Sequence, residues 1–196
     1  MGNTNCEISS DILFNCQQKP IRGQLNEVIL LPKGDIDLSN CSFNGSNHMI
    51  IEAIQMNSQK RGYSYTGEAT MISSDKGLVR DENGAKYRHR VPFIVYANLP
   101  TTKKELDALA NYPYGYVAIL KQNYKGASGN AKYEVFGWDT GLRLTVLDDT
   151  EGRNQYNIEL ATMEGFEEPH LPRNFYITSE AVTDAAVAAL LIAQSP

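Results

Sequence analysis

Cysteine, histidine and tryptophan are scarce in this sequence: three, three and one in 196 residues. Cys6, Cys16 and Cys41 show no CxxC spacing, which excludes the common zinc sites and the redox dithiol motif. The odd thiol count predicts reduced cysteines in a cytosolic setting, packed as small apolar groups. No basic segment followed by an apolar stretch opens the chain, so no secretory leader is expected. Gly2 is followed by Cys6, where the myristoylation pattern needs Ser or Thr. Long hydrophobic runs are missing too. The longest, over 181–192, is broken by Thr183 and Asp184 and is too short to span a bilayer. An excess of positive charge is absent as well. Eighteen basic against 23 acidic side chains give a net charge of −5, which argues against a protein that grips nucleic acid. It permits a surface that DNA slides past, because like charges repel.

Motifs that carry chemistry are equally thin. Gly126-Ala-Ser-Gly129 lacks the Lys-Ser/Thr ending of a phosphate-binding loop, and its composition reads as a hairpin loop. Asp35-Ile-Asp37-Leu-Ser39 begins like a calcium loop, but Asn40 and Ser46 stand where Gly and Glu are needed, so a tight turn is expected. Glu164, Glu167, Glu168 and His170 cluster near Gly165, Phe166 and Pro169. They could form half of a metal or acid–base site. No second His or Cys lies nearby, and His48 and His89 are isolated, so a structural or interface role is expected. Tyr87-Arg88-His89-Arg90 is a small basic island, suited to pairing with the carboxylates of a neighbouring subunit. No catalytic, cofactor-binding or metal-ligating residue is assigned.

What the sequence does contain is strand patterning. In the segment 132–172, Tyr133, Val135 and Trp138 stand out of step with Glu134 and Phe136. Leu142, Leu144 and Val146 alternate with Arg143, Thr145 and Leu147. Tyr156, Ile158, Leu160 and Thr162 alternate with Asn157, Glu159 and Ala161. A period of two marks strands with one buried face. The turn residues at 139–141 and 148–153 predict three sequential antiparallel strands, a meander. Further strands are expected over 24–31, 49–56, 61–71, 87–96 and 114–124. The segment 73–86 reads as an exposed loop or a hairpin with its tip at 81–84. Pro92 lacks an amide donor, so the strand 87–96 should bulge there or lie on an edge. A helix is expected over 101–111, started by a Thr102/Glu105 capping box, with Leu106, Leu109 and Ala110 as its stripe. A last helix over 180–193, capped by Thr178 or Ser179, carries Ala181, Val182, Ala185, Ala188, Ala189 and Ile192 on one side, for close packing against the body or a neighbour. Eleven tyrosines against six phenylalanines suit strands and contact surfaces.

Several pieces together carry a resemblance. They are Cys16, Pro20, Arg22-Gly23, Asn26-Glu27-Val28-Ile29-Leu30-Leu31, Asp35-Ile-Asp37, Tyr87-Arg88-His89-Arg90-Val91 and 104–110. Tyr116-Val117-Ala118-Ile119-Leu120, Asn123-Tyr124-Lys125-Gly126, Phe136-Gly137, Gly141-Leu142 and the terminal Glu164-Gly165-Phe166-Glu167-Glu168-Pro169-His170-Leu171-Pro172 follow. Their order, over roughly 6–172, is similar to virion proteins of tailed phages that infect Bacteroidetes, including crAss-like phages.

The resemblance implies a mainly β protein with minor α: an antiparallel β-sandwich or barrel of tail-tube type, with one mid-chain helix and a C-terminal helix. Residues 1–19 would be an N-terminal arm, 20–177 the β-rich domain and 178–196 a C-terminal helix or arm. The implied function is non-enzymatic: a homo-oligomeric ring in the phage tail or portal-proximal barrel, stacked on adjacent ring proteins and passed by dsDNA without specific binding. It implies no cofactor and no membrane partner, and a place in the virion after assembly in the bacterial cytoplasm. A β-sandwich binding module for carbohydrate or protein is the alternative that the tyrosine content supports.

Overall fold

The computed structural model describes residues 24–66, 72–82, 84–96, 99–126, 128–150 and 155–194. The expected arm over 1–19, with Cys6 and Cys16, lies outside them, as do Gly67, Glu68, Asn83 and Ala127. The described strands are β1 (Gln24–Pro32), β2 (Ser42–Phe43), β3 (Ile50–Ala53), β4 (Tyr63–Thr66), β5 (Asp75–Asp81), β6 (Gly84–Tyr96), β7 (Tyr116–Gln122), β8 (Tyr133–Phe136), β9 (Arg143–Thr150), β10 (Gln155–Ala161) and β11 (Arg173–Phe175). The helices are α1 (Pro100–Asn111) and α2 (Glu180–Leu190). One sheet runs β2-β3-β11-β8-β7-β1-β4 and the other β5-β6-β10-β9. Strand pairing is antiparallel except between β3 and β11. The fold is thus mainly β with two helices and a sandwich-like layout, and neither sheet closes into a barrel among the described residues. No helix among them is long and apolar enough to cross a membrane.

The large sheet is buried on both sides. Val28, Leu30, Ala118, Leu120 and Phe136 pack with Val91, Phe93, Ile158 and Leu160 of the small sheet and with Leu106 and Leu109 of α1. Their chain neighbours Ile29, Leu31, Val117, Ile119 and Val135 point the other way, into a second core with Val187 and Leu190 of α2. This explains why Val28-Ile29-Leu30-Leu31 and Val117-Ala118-Ile119-Leu120 read as unbroken apolar runs: strands covered on both faces need no polar alternation.

Several sequence expectations are corrected. The segment 132–172 is not a meander. β8 belongs to the large sheet, whereas β9 and β10 form a hairpin in the small one. The chain changes sheets at Gly137–Gly141, two glycines with φ of 72° and 84° that bend it out of the first sheet. Alternation along β9 holds in exposure: Leu142 is buried and Leu144 and Val146 are half-buried, whereas Arg143, Thr145 and Leu147 are exposed. The β9–β10 register slips between Glu159 and Leu160, so Leu144 faces Leu160 in the core while Val146 is opposite Glu159 and Leu147 opposite Ile158.

The helices differ from expectation as well. Helix α1 starts at Pro100, with Leu99 as an N-cap that makes no side-chain hydrogen bond. Proline at the first helical position needs no amide partner, so Thr102 falls inside the helix and the capping box does not form. Leu106 and Leu109 are buried, but Ala110 is exposed. Helix α2 is capped by Ser179, whose side chain accepts from the Val182 amide at 3.3 Å. It buries Thr183, Val187 and Leu190 and leaves Ala181, Val182, Ala185, Ala188, Ala189 and Ile192 exposed. The larger Val187 and Leu190 remove more apolar surface from water than alanines would. Polar contacts fix the same orientation: Lys132 Nζ reaches Glu180 at 2.7 Å and Asp184 at 2.6 Å, and Tyr133 donates to Asp184. Replacing Ser179 by alanine should lower stability by about 1 kcal/mol, seen as a lower urea midpoint.

Pro92 produces no bulge in the pairing of β6 with β10, which is continuous from Tyr96 to Arg90. Nor is β6 an edge there: Ile72 bridges Phe93, and the Ser73 amide donates to the Pro92 carbonyl at 3.1 Å.

Candidate assembly surface

The segment 137–141 that joins the sheets is held from four sides. Glu168, 1% exposed, accepts from the Asp139 amide at 2.9 Å, the Thr140 amide at 2.7 Å and the Thr140 hydroxyl at 2.8 Å. Burial pushes its carboxyl upward, against those hydrogen bonds from Thr140 and Asp139. The Gly137 amide donates to Nδ1 of His89 at 3.1 Å, which leaves Nε2 to donate to the His170 carbonyl at 3.1 Å. Both ring nitrogens are therefore used by a neutral imidazole. Burial lowers the His89 pKa to about 4. Lys33 donates to the carbonyls of Trp138 and Asp139 at 2.6 and 2.8 Å, and Arg173 pairs with Asp139 at 2.8 Å.

The expected cluster at 164–170 is thus only partly brought together, and its members have different tasks. Glu168 and the His170 carbonyl serve the crossover. Glu167 accepts from the Gly165 amide and lies 3.8 Å from Arg88. The His170 ring stands 5.0 Å from that of His48. Glu164 is exposed. No group of three His, Cys, Asp or Glu side chains among the described residues is arranged to hold a metal ion. Lys33 and Arg173 were not singled out by sequence, and Asp139 and Thr140 only as turn residues. The paired glycines around Trp138-Asp139-Thr140 are the signal that could have pointed to them.

The other candidates fall into turns and packing. Asp37 accepts from the hydroxyl of Ser39 and from Asn40, which closes a tight turn and lowers its carboxyl pKa. Asp35 pairs with Lys60 at 3.1 Å. Cys41 is half-buried with its thiol pushed upward by burial, unlike a nucleophile. Lys125 and its glycines lie in the connection of the antiparallel pair β7 and β8, and Lys125 meets Glu180 at 2.8 Å.

Strand alternation splits the basic island: His89 points inward, and Arg88 and Arg90 point outward. Arg90 pairs within the chain, with Glu159 and with Asp75 at 3.5 Å, so the expected partner from a neighbouring subunit is not needed. Arg88 remains nearly half-exposed. The outer face of the small sheet carries a shallow depression of about 560 Å³ between Arg88, Arg90, Thr145, Glu159, Met163 and Glu164. Its edges, β5 and β9, have no further strand beside them among the described residues. The two halves of this sheet differ in charge. Residues 75–96 hold five basic and three acidic side chains, and 143–161 hold two basic and four acidic ones. No family model, curated protein or solved structure matches this chain.

Proposed function

We propose that this chain is a non-enzymatic structural subunit that joins copies of itself, edge to edge, into a closed ring. The phage-virion resemblance supports a place in the tail or portal-proximal barrel, where dsDNA passes without specific binding. The observation that carries the assembly reading is the charge polarity of the small sheet. Its β5–β6 side is net basic and its β9–β10 side net acidic, and each ends in an edge strand. An unpaired edge is a template for another strand. Opposite charges steer the two unlike edges together and disfavour like pairs. A head-to-tail contact of unlike surfaces closes into a ring when its rotation permits. The polar outer face suits a wetted bore.

Light scattering after size exclusion, with electron micrographs of the same fractions, tests this reading. The expected result is an integer multiple of the 21.8 kDa chain and annular particles. Reversing both Asp148 and Asp149 to lysine should reduce the assembly to monomer while the isolated chain keeps its melting temperature. A monomeric mass at every concentration overturns the proposal.

A further inference from the structure

A second cleft lies between α1 and the edge strand β4. Its inner chamber, about 190 Å³, is walled by Tyr63, Tyr65, Tyr112 and Tyr116 together with Asp35 and Glu105. It adjoins a wider groove along β4 and the first turn of α1. The rings are packed against one another or the core: Tyr112 and Tyr116 have centroids 5.1 Å apart, and Tyr65 lies 5.7 Å from Phe93. Burial pushes the phenols of Tyr65 and Tyr116 upward, so both remain neutral at physiological pH. Neither hydroxyl has a hydrogen bond among the described residues, and Glu105 has no hydrogen bond or ion pair among them.

We infer that this tyrosine-walled cleft binds an organic cation, a guanidinium or alkylammonium group carried on a short chain. Aromatic faces attract cations through the ring quadrupole, and most strongly when water is excluded. A carboxylate and phenol oxygens supply acceptors for the N–H donors of such a group. The wall already shows this affinity at its rim, where the Arg61 guanidinium lies 5.0 Å from the centroid of Tyr63. The chamber is smaller than the pockets that enclose drug-sized ligands, which favours a single side-chain-sized group over an oligosaccharide or nucleotide. Asp35 is shared with Lys60, so Glu105 supplies the uncommitted charge. The cation can come from a free amine or from a basic side chain of another protein.

Tyrosine ring signals in NMR, followed during titration, test the inference with three probes. Agmatine represents the free amine, a capped Ala-Arg-Ala peptide the side chain, and butylurea the uncharged isostere. Agmatine and the peptide should both shift the signals of Tyr65, Tyr112 and Tyr116, and added salt should weaken both. Tighter binding of the peptide assigns the site to a partner protein; equal or weaker binding assigns it to a free amine. Glu105→Gln should weaken agmatine about tenfold, and Tyr65→Leu should do so by a similar factor. Glu105 is on the exposed side of α1, so its variant should keep the wild-type urea midpoint. Butylurea binding as well as agmatine, an unchanged affinity in both variants, or no shift with either cation overturns the inference.

Discussion

Replacing Glu168 by alanine should lower stability by about 4 kcal/mol, with an unchanged denaturant slope. The side chain is 1% exposed and accepts three hydrogen bonds from Asp139 and Thr140. Removing it strands two amides and a hydroxyl in a site that water cannot easily reach, and each loses its partner without regaining hydration. Lys33 and Arg173, which converge on the same crossover, would lose a nearby negative charge as well. Glu168→Gln keeps the shape but puts an amide donor against a donor, so it should fall between wild type and alanine. Glu164→Ala, at an exposed position nearby, should stay within about 0.5 kcal/mol of wild type. Urea unfolding followed by Trp138 fluorescence distinguishes these cases.

Acidification should cost the chain about 2 kcal/mol between roughly pH 7 and pH 5, from His89 alone. Burial holds its folded pKa at about 4 against an ordinary value of 6.5. Between those values the unfolded chain binds a proton that the folded chain refuses. The stabilising contribution is therefore complete above the unfolded value and drains away as pH falls toward the folded one. Geometry gives the same direction, since a proton on Nδ1 would face the Gly137 amide. The charged groups acting on His89 are Lys76, Asp139 and Arg173, and only the carboxylate favours protonation. His170 is lowered too and adds to the loss with the same sign. Unfolding free energies across this range, with imidazole nitrogen shifts, check the expectation. A flat profile, or a His89 ring that titrates near 6.5, contradicts it.

Strands β1 and β7, covered on both faces, were legible because their apolar runs permit few other placements. Hairpin β5–β6 was half legible: its turn residues allowed it, but equally allowed an exposed loop. The sheet change at 137–141 was not. Local alternation is identical whether successive strands pair with each other or lie in different sheets, and only the contacts of Glu168 and His89, far along the chain, decide it. The inward face of α2 was hidden for a related reason. Two apolar stripes ran along it, and Lys132, whose Nζ meets Glu180 and Asp184, selects between them from 48 residues away. The tyrosine wall escaped notice because its rings come from β4, from β7 and from the end of α1, with no common spacing.

The order of strands in the large sheet also constrains how the protein is made. β1 is flanked by β7, whose residues follow it by about ninety positions, and β3 receives its parallel neighbour only when 174 and 175 are in place. A ribosome must therefore release the chain as far as residue 175 before this layer can close. Until then, the greasy strand at 28–31 has only β4 beside it, and such delayed, non-local pairing is slow and prone to aggregation. Production at low temperature or with a holding chaperone should raise the soluble yield, because it protects a nascent chain whose first strand waits for its later ones.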